Sequence, residues 1–382
     1  MKLDLNNISI DCNYSKSIMH RILFCALLSK SVTTINNVSF SDDVKTTIEV
    51  LKNCNCKITY NDNQIVVDSR EVKLINNQFD FNQSGTTLRF SIPVIIYLFG
   101  EIKYSGEEVL MTRPLDIYEQ IFDGKIEGKN GIIKGGYVLD EYIIEDNKSS
   151  QCISGLLFVL PLLGFDTKIV IKDKVSYNYI LMTINVLKTF GINIIVENNI
   201  IYIKGNQEYK QNIEIDNEVD ESSLSYLRAL NFVGCNIKYK ENIETLQPDH
   251  CLVDILKNQP QVIDCNNCPD LVPTLVFVCN YFDKPTTLVG IDRLKYKESN
   301  RLEAIINVGE KLGLNLKYKN DSLVITPNNN LKACSVSSYN DHRIALMEIL
   351  FSTKVNVDID NIEVIDKSYP EFLAVIKRQG DL

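Results

Sequence analysis

The chain has 382 residues, 45% hydrophobic and 23% charged, with 40 basic and 49 acidic side chains giving a formal net charge of −9, 11 cysteines, 3 histidines and no tryptophan. At roughly 100 to 200 residues per domain this length accommodates two or three domains, each with its own core, which excludes a disulfide-stapled miniprotein. The excess of acid excludes broad, salt-dependent nucleic-acid binding, which needs a basic face. The longest apolar stretch, Ile153 to Phe165 with Pro161 inside it, falls short of the ~20 residues that cross a bilayer.

The N-terminus, Met1-Lys2-Leu3-Asp4, carries an acid where a signal peptide carries a basic head, and the odd number of scattered cysteines, such as Cys25, Cys235 and Cys279 in apolar surroundings, suits reduced core thiols. Both features predict a cytoplasmic protein. Along the chain one local pattern recurs six times: a small polar cluster, then about ten mostly apolar residues at helical spacing. The first is Ser15-Lys16-Ser17 through Arg21 into Ile22–Leu28. A second, surface helix over Asp43–Leu51 and a strand over Gln64–Val67 follow it. Ser84-Gly85-Thr86-Thr87-Leu88-Arg89 then opens Phe90–Leu98, and Ser149-Ser150-Gln151 opens Cys152–Leu160. Next come β-branched runs at Thr167–Ile171, Ile192–Val196 and Ile200–Ile203, with a helix over Tyr179–Phe190 between the first two. The last three helix starts are Glu221-Ser222-Ser223, Pro269-Asp270 and Asp341-His342-Arg343. This predicts a mixed α/β architecture of six similar units, three per half, with a boundary near Val219.

Ser, Thr and Asp are ordinary helix initiators, so any one start reads as an N-cap. Three of the starts, however, carry cations: Lys16 and Arg21 in the first, Arg89 in the second and Arg343 in the sixth. The helix dipole disfavours a cation there unless an anion also occupies the helix start, held by free N–H groups. Several such ends brought together make a polyanion site.

Ten short motifs stand in an order that resembles the enolpyruvyl transferases, and among them the branch acting on shikimate 3-phosphate. They are Ser15-Lys16-Ser17-x-x-x-Arg21, Ser41-Asp42-Asp43, Ser84 to Arg89, Arg113-Pro114-Leu115, Ser149-Ser150-Gln151, Asp220-Glu221-Ser222-Ser223, Pro269-Asp270, Lys297 to Arg301, Asn340 to Arg343 and Lys367-Ser368-Tyr369-Pro370. The resemblance implies a two-domain fold, 15–219 and 1–14 plus 220–382, with hinges near 14 and 219. Each domain has three βαβαββ units around buried helices, and the active site lies in the interdomain cleft. It implies transfer of the enolpyruvyl group of phosphoenolpyruvate to the 5-hydroxyl of shikimate 3-phosphate by a monomer, with no metal or organic cofactor and no nucleic-acid or membrane partner.

The resemblance also assigns residues. Lys16, Ser17 and Arg21 would bind shikimate 3-phosphate, as would Ser149, Ser150 and Gln151, with Ser176 and Tyr179 completing that side and Arg293 and Lys297 adding charge. Phosphoenolpyruvate would meet Lys16, the bare backbone at Gly85, Gln151, and a clamp of Arg113, Arg301, Arg343 and Lys367 whose guanidinium forks suit phosphate and carboxylate. Arg89 would brace the Gly85 loop. Asp270 and Glu298 are the carboxylates for proton transfer, Asp270 on the shikimate hydroxyls and Glu298 near the methylene, with His342 able to assist, although a lone histidine, like His20 and His250, is more often structural. Which carboxylate performs which step stays open.

Several positions depart from the family pattern. Asn300 stands where Asp commonly precedes the arginine, Arg293 where some relatives have Asn, and Leu181 where Asp is usual, and Ser176-Tyr177-Asn178-Tyr179 lacks a Lys-Pro pair. Cys265-x-x-Cys268 has no second pair or nearby histidine and does not read as a zinc site. The sister enzymes that act on UDP-N-acetylglucosamine carry a cysteine in the loop that here reads Gly106 to Arg113 without one. A non-catalytic anion-binding relative is the alternative from another class.

Overall fold

The computed structural model describes residues 2–61, 63–127, 130–144, 150–172 and 176–379. The chain divides into two compact units, Tyr14–Glu218 and Met1–Asn13 with Val219–Leu382.

In Tyr14–Glu218, β-branched runs with buried residues at every second position, such as Ile65 and Val67 of Gln64–Asp68, build three four-stranded sheets. The orders are Glu214–Asp216, Val32–Asn36, Gln64–Asp68, Lys57–Asn61; then Gln78–Asp80, Glu101–Ser105, Asn130–Lys134, Asp123–Glu127; then Glu141–Ile144, Thr167–Ile171, Ile200–Ile203, Ile194–Glu197. Each sheet has one parallel edge pair followed by two antiparallel pairings. The three sheets repeat one plan, except that the first borrows its parallel strand from the far end of the unit.

Three largely buried helices, Lys16–Leu28, Gly85–Phe99 and Ser150–Leu157, line the core. Phe24, Phe90 and Phe158, one on or just past each helix, meet with ring centroids 5.7, 5.8 and 5.1 Å apart. Such aromatic contacts add specificity beyond area burial. Pro93 lies inside the second helix and cannot donate to the carbonyl of Arg89 four residues earlier. The hydroxyl of Tyr118 takes that carbonyl instead, at 2.5 Å. Gly155 makes room for the arrangement, since a Cβ there would stand 2.6 Å from the same carbonyl oxygen.

The other unit repeats the plan once in full, in the order Val262–Asp264, Thr286–Val289, Ser322–Thr326, Asn315–Lys319. Elsewhere among the described residues it is abbreviated to the parallel pair Cys334–Val336 with Val357–Ile359 and an isolated parallel bridge between Ser9 and Lys238. After Lys238 the segment Lys240-Glu241-Asn242 is polar at consecutive positions and offers no apolar face for a sheet to bury. After Val357–Ile359 the described chain continues only into Ile362–Lys367 and Pro370–Gln379, neither of them a strand. The three buried helices persist as Glu221–Phe232, Val272–Cys279 and His342–Ser352, packed on one another. No helix of the described residues is long and apolar enough to cross a membrane.

Candidate active site

In the unit containing Val219–Leu382, three helix starts bring one carboxylate among three cations. Asp270 lies in the 3-10 turn Pro269–Leu271 that leads into Val272–Cys279. Its Oδ1 accepts from Arg301 Nη1 at 2.9 Å and sits 3.3 Å from Lys297 Nζ, and its Oδ2 accepts from Arg343 Nη2 at 3.2 Å. Arg343 Nη1 also donates to the Asp270 carbonyl at 3.2 Å. Burial works to raise the Asp270 carboxyl, but Arg343, Lys297 and Arg301 outweigh it and hold the group well below the usual carboxylate range. Asp270 is therefore the ionised carboxylate. Burial pushes the Lys297 ammonium down to about 8, with Arg293, Arg301 and Arg343 adding to the effect and Asp270 opposing it.

Arg301, only 2% exposed, opens the helix Arg301–Leu312. Its Nε donates to Asp341 Oδ2 at 2.7 Å, and its Nη2 lies 3.9 Å from Glu298 Oε1. Burial disfavours its charge, yet Asp341, Asp270 and Glu298 together raise its pKa. Asp341 also caps the helix His342–Ser352 by accepting from the Arg343 backbone N–H at 2.9 Å, and it accepts from Ser299 Oγ at 3.0 Å. One buried carboxylate thus fixes the second turn of the site and the arginine across from it. Glu298 Oε2 pairs with His342 Nδ1 at 3.0 Å. Asn300, the departure from the expected Asp, caps its helix by accepting from the Glu303 backbone N–H at 3.3 Å and donating to the Glu303 carboxylate at 2.8 Å. Asn and Asp serve equally as N-caps, so the exchange keeps the helix start.

Arg293 donates to the Asn266 carbonyl at 2.9 Å and contributes to the field at Lys297. Lys367 ends the 3-10 turn Ile362–Lys367, half-buried. Glu298, Asp341 and His342 form the one group among the described residues whose ligand atoms lie within 4.8 Å of one another, as metal binding would require. Asp341 is already neutralised by Arg301, which leaves little charge to attract a cation.

In Tyr14–Glu218, Ser15 caps Lys16–Leu28, and Lys16 Nζ pairs with Asp43 Oδ2 at 2.8 Å. Ser84 caps Gly85–Phe99. A Cβ on Gly85 would stand 2.8 Å from Arg113 Nη1 and 2.9 Å from Arg89 Nη1, so both guanidinium groups crowd the bare backbone. Arg89 donates to the Gly85 carbonyl at 3.4 Å, to Gln151 Oε1 at 3.0 Å and to the Pro114 carbonyl at 3.2 Å. It is the expected brace. Gln151 in turn donates to Thr86 Oγ1 at 2.7 Å, tying the third helix start to the second. Ser150, buried, begins that third helix, while Ser149 lies outside the described residues.

Arg21 is placed differently from an open ligand residue. Its guanidinium is buried, donating to the Ser17 carbonyl at 2.5 Å, the Tyr179 carbonyl at 3.1 Å and Thr183 Oγ1 at 2.7 Å, and it stacks over Phe90. It pins Ser17 and Tyr179 to each other from behind. Ser176 holds a left-handed backbone, φ 54°, at the cap of Tyr177–Thr189. A non-glycine residue in that region carries some strain.

Sequence reasoning gave no role to Asp43, Asp341 or Thr47. Asp43 and Asp341 stood in the quoted motifs, and a partner for each buried or half-buried cation was the available signal. Thr47 carried none. Behind Lys16 and Ser84 its hydroxyl lies 2.7 Å from His20 Nδ1 and 2.7 Å from Thr87 Oγ1, which is 2.7 Å from Ser84 Oγ. Burial pushes the His20 imidazole down to about 3, with Lys16 and Arg21 adding to it and Asp43 opposing, so this chain of hydrogen bonds is neutral.

The profile of the family described as EPSP synthase (3-phosphoshikimate 1-carboxyvinyltransferase) matches residues 7–233 and 220–376. The chain is 34% identical to a 3-phosphoshikimate 1-carboxyvinyltransferase of Clostridium botulinum and 36% identical to one of Clostridium kluyveri, covering 96% of this chain and 93% of each relative. Its fold is similar to a solved structure of EPSP synthase from Acinetobacter baumannii, with TM-score 0.82 at 16% identity over 99% of this chain and 97% of that one.

Proposed function

The chain belongs to the EPSP synthase (3-phosphoshikimate 1-carboxyvinyltransferase) family, and from that premise we propose how its residues divide the work. It transfers the enolpyruvyl group of phosphoenolpyruvate to shikimate 3-phosphate in the shikimate pathway. The observation that carries the assignment of roles is the single carboxylate of Asp270 ringed by Arg301, Lys297 and Arg343.

Addition requires that the 5-hydroxyl lose a proton while the methylene of phosphoenolpyruvate gains one; elimination takes a proton back from the new methyl group as phosphate leaves. Asp270, ionised, takes the hydroxyl side. Its low basicity in the cation ring fits a group that orients the hydroxyl and accepts its proton only as attack proceeds. Glu298, in contact with His342 at 3.0 Å, carries the exchangeable proton for the methylene. Two carboxylates whose surroundings differ in this way supply one acid and one base.

In Val219–Leu382 we assign Arg301, Arg343 and Lys367 to phosphoenolpyruvate, and Arg293 and Lys297 with Asp270 to shikimate 3-phosphate. In Tyr14–Glu218, Ser17, Ser149, Ser150, Ser176 and Tyr179 take shikimate 3-phosphate, Gly85 and Arg113 take phosphoenolpyruvate, and Lys16 and Gln151 reach both. Arg21 supports Ser17 and Tyr179. The buried thiols support a cytoplasmic location. The testing experiment is phosphate release from phosphoenolpyruvate with shikimate 3-phosphate, and separately with UDP-N-acetylglucosamine. Release with the first alone, lost in Asp270→Ala, is expected; silence with both despite binding would favour a non-catalytic anion binder.

A further inference from the structure

Ser222 occupies the first turn of Glu221–Phe232, yet Asp220 already caps that helix, accepting from Ser223 N at 2.8 Å. The Ser222 hydroxyl is turned elsewhere. It lies 3.3 Å from Arg343 Nη2 and donates to Asp249 Oδ2 in a very short contact. Asp249, in the 3-10 turn Pro248–Cys251, is 2% exposed, and its Oδ1 is buried without a hydrogen-bond partner. A carboxylate removed from water with one hydroxyl for company is costly, so its retention asks for a use.

We propose that Asp249 acts through Ser222 as a positioning residue that fixes the guanidinium of Arg343 for phosphoenolpyruvate. This rests on the assignment of Arg343 to that substrate made above. With Asp249 ionised, the single Ser222 proton goes to Asp249 and the oxygen's lone pairs are free for Arg343, giving a relay from Arg343 through Ser222 to Asp249. With Asp249 protonated the charge behind the relay is gone, and a proton on Oδ2 competes for the same serine oxygen and leaves the Ser222 proton without that acceptor.

Burial raises the Asp249 carboxyl to about 7, Asp270 and Asp220 working in the same direction while Arg343 and the Ser222 hydroxyl oppose it. The Tyr226 hydroxyl and the Cys251 and Cys268 thiols also share its field: burial raises Tyr226 against Arg343 and Arg301, the contact with Cys268 and burial raise Cys251, and Cys268, although its contact with Cys251 lowers it, is raised by Cys265 and burial. His250, next in the chain, faces Glu221 at 3.1 Å instead. Asp249 thus changes charge near neutrality while Asp270, nearer to Arg343, stays ionised; Lys297, pushed down to about 8, also titrates in this range but is paired with Asp270.

The test measures KM for each substrate and kcat at pH 6 and pH 8 for the wild type, Asp249→Asn, Ser222→Ala and Ser222→Thr. A hydrogen-bond relay to a charged group is worth about 1.5–3 kcal/mol, or tenfold and more. At pH 8, Asp249→Asn and Ser222→Ala are expected to raise KM for phosphoenolpyruvate about tenfold, with KM for shikimate 3-phosphate unchanged and kcat nearly so. At pH 6, where the wild-type carboxyl is itself protonated, Asp249→Asn converges on the wild type. Ser222→Thr keeps the hydroxyl and retains wild-type affinity. A pH-independent ratio for Asp249→Asn, or equal losses in Ser222→Thr and Ser222→Ala, overturns the proposal. Should the wild type release no phosphate, the functional reading fails, and calorimetric titration of phosphoenolpyruvate into the same proteins at both pH values still decides the relay; absence of binding by the wild type overturns it too.

Discussion

The two units each set cations beside the starts of buried helices, and they hold those starts with different materials. In Tyr14–Glu218 Lys16 has an ion pair with Asp43, and the support behind Ser84 is a run of hydroxyls through Thr87 and Thr47 to a neutral His20. In Val219–Leu382 it is a charged lattice in which Asp341 holds Arg301, Arg301 and Lys297 hold Asp270, and Asp270 holds Arg343. Neutral hydrogen bonds set positions and respond little to pH or salt. Buried ion pairs also set ionisation states, which suits the proposed proton-transfer role of Asp270 and Glu298 in the second unit. The cost is that each charge depends on its partner.

The largest effect should come from the charged lattice. Glu298→Gln is expected to lower turnover roughly 10²- to 10⁴-fold with substrate affinity near normal; unchanged phosphate release would take Glu298 out of the mechanism. Asp341→Ala leaves buried Arg301 without its Nε acceptor, and urea unfolding should show a loss of about 3–5 kcal/mol. A smaller loss would mean that Asp270 and Glu298 suffice to hold that guanidinium.

In the other unit Gly85→Ala pushes on the far ends of Arg113 and Arg89. Overpacking of about 1–3 kcal/mol predicts roughly tenfold weaker calorimetric binding of phosphoenolpyruvate-site ligands, glyphosate included, with shikimate 3-phosphate spared. Equal losses for both would count against the assignment of Arg113. Glu348 shows what the second unit suffers when a carboxylate is left unpaired. Both its oxygens are buried without partners, and burial, with Asp360 adding and Lys311 opposing, raises it from 4.5 to about 9. Its folded-state pKa lies above the unfolded one, so its contribution to stability is full below about pH 4.5 and is lost as pH climbs toward 9. Glu348→Gln should therefore raise the thermal midpoint by a few degrees at pH 8 and leave it nearly unchanged at pH 5. The smallest effect belongs to the hydroxyl chain, where Thr47→Val should cost about 1 kcal/mol with no dependence on salt, whereas salt dependence would mean that His20 carries charge.

What could be read from the sequence follows the same division. Periodicity located the buried helices, since Ile22–Leu28 and Phe90–Leu98 are apolar on every face, and it located strands such as Thr167–Ile171, whose buried residues alternate. Motif order assigned the charged residues, because Arg and Asp beside a helix start are conspicuous. The burial of Arg21 was not legible: its acceptors, the carbonyls of Ser17 and Tyr179, are backbone atoms that no side-chain pattern announces. Thr47 and Ser222 escaped for a related reason, since a hydroxyl is common in helices and only its neighbours give it a role. The abbreviated repeats of the second unit were hidden because six helix starts implied six equal modules, while the strands themselves had to come from segments as polar as Lys240-Glu241-Asn242.

The first sheet of Tyr14–Glu218 takes its parallel edge strand from Glu214–Asp216, paired with Val32–Asn36. During synthesis that sheet cannot be finished until the ribosome has released nearly the whole unit, so its first module waits for its last residues. The opening segment waits longer still, for Leu3 N–H bonds to the Ser352 carbonyl and Ser9 bridges to Lys238. Such distant pairings slow folding and leave sheet edges open in the meantime. A chain stopped just before residue 214 would leave the Val32–Asn36 edge unpaired, an open template for other chains.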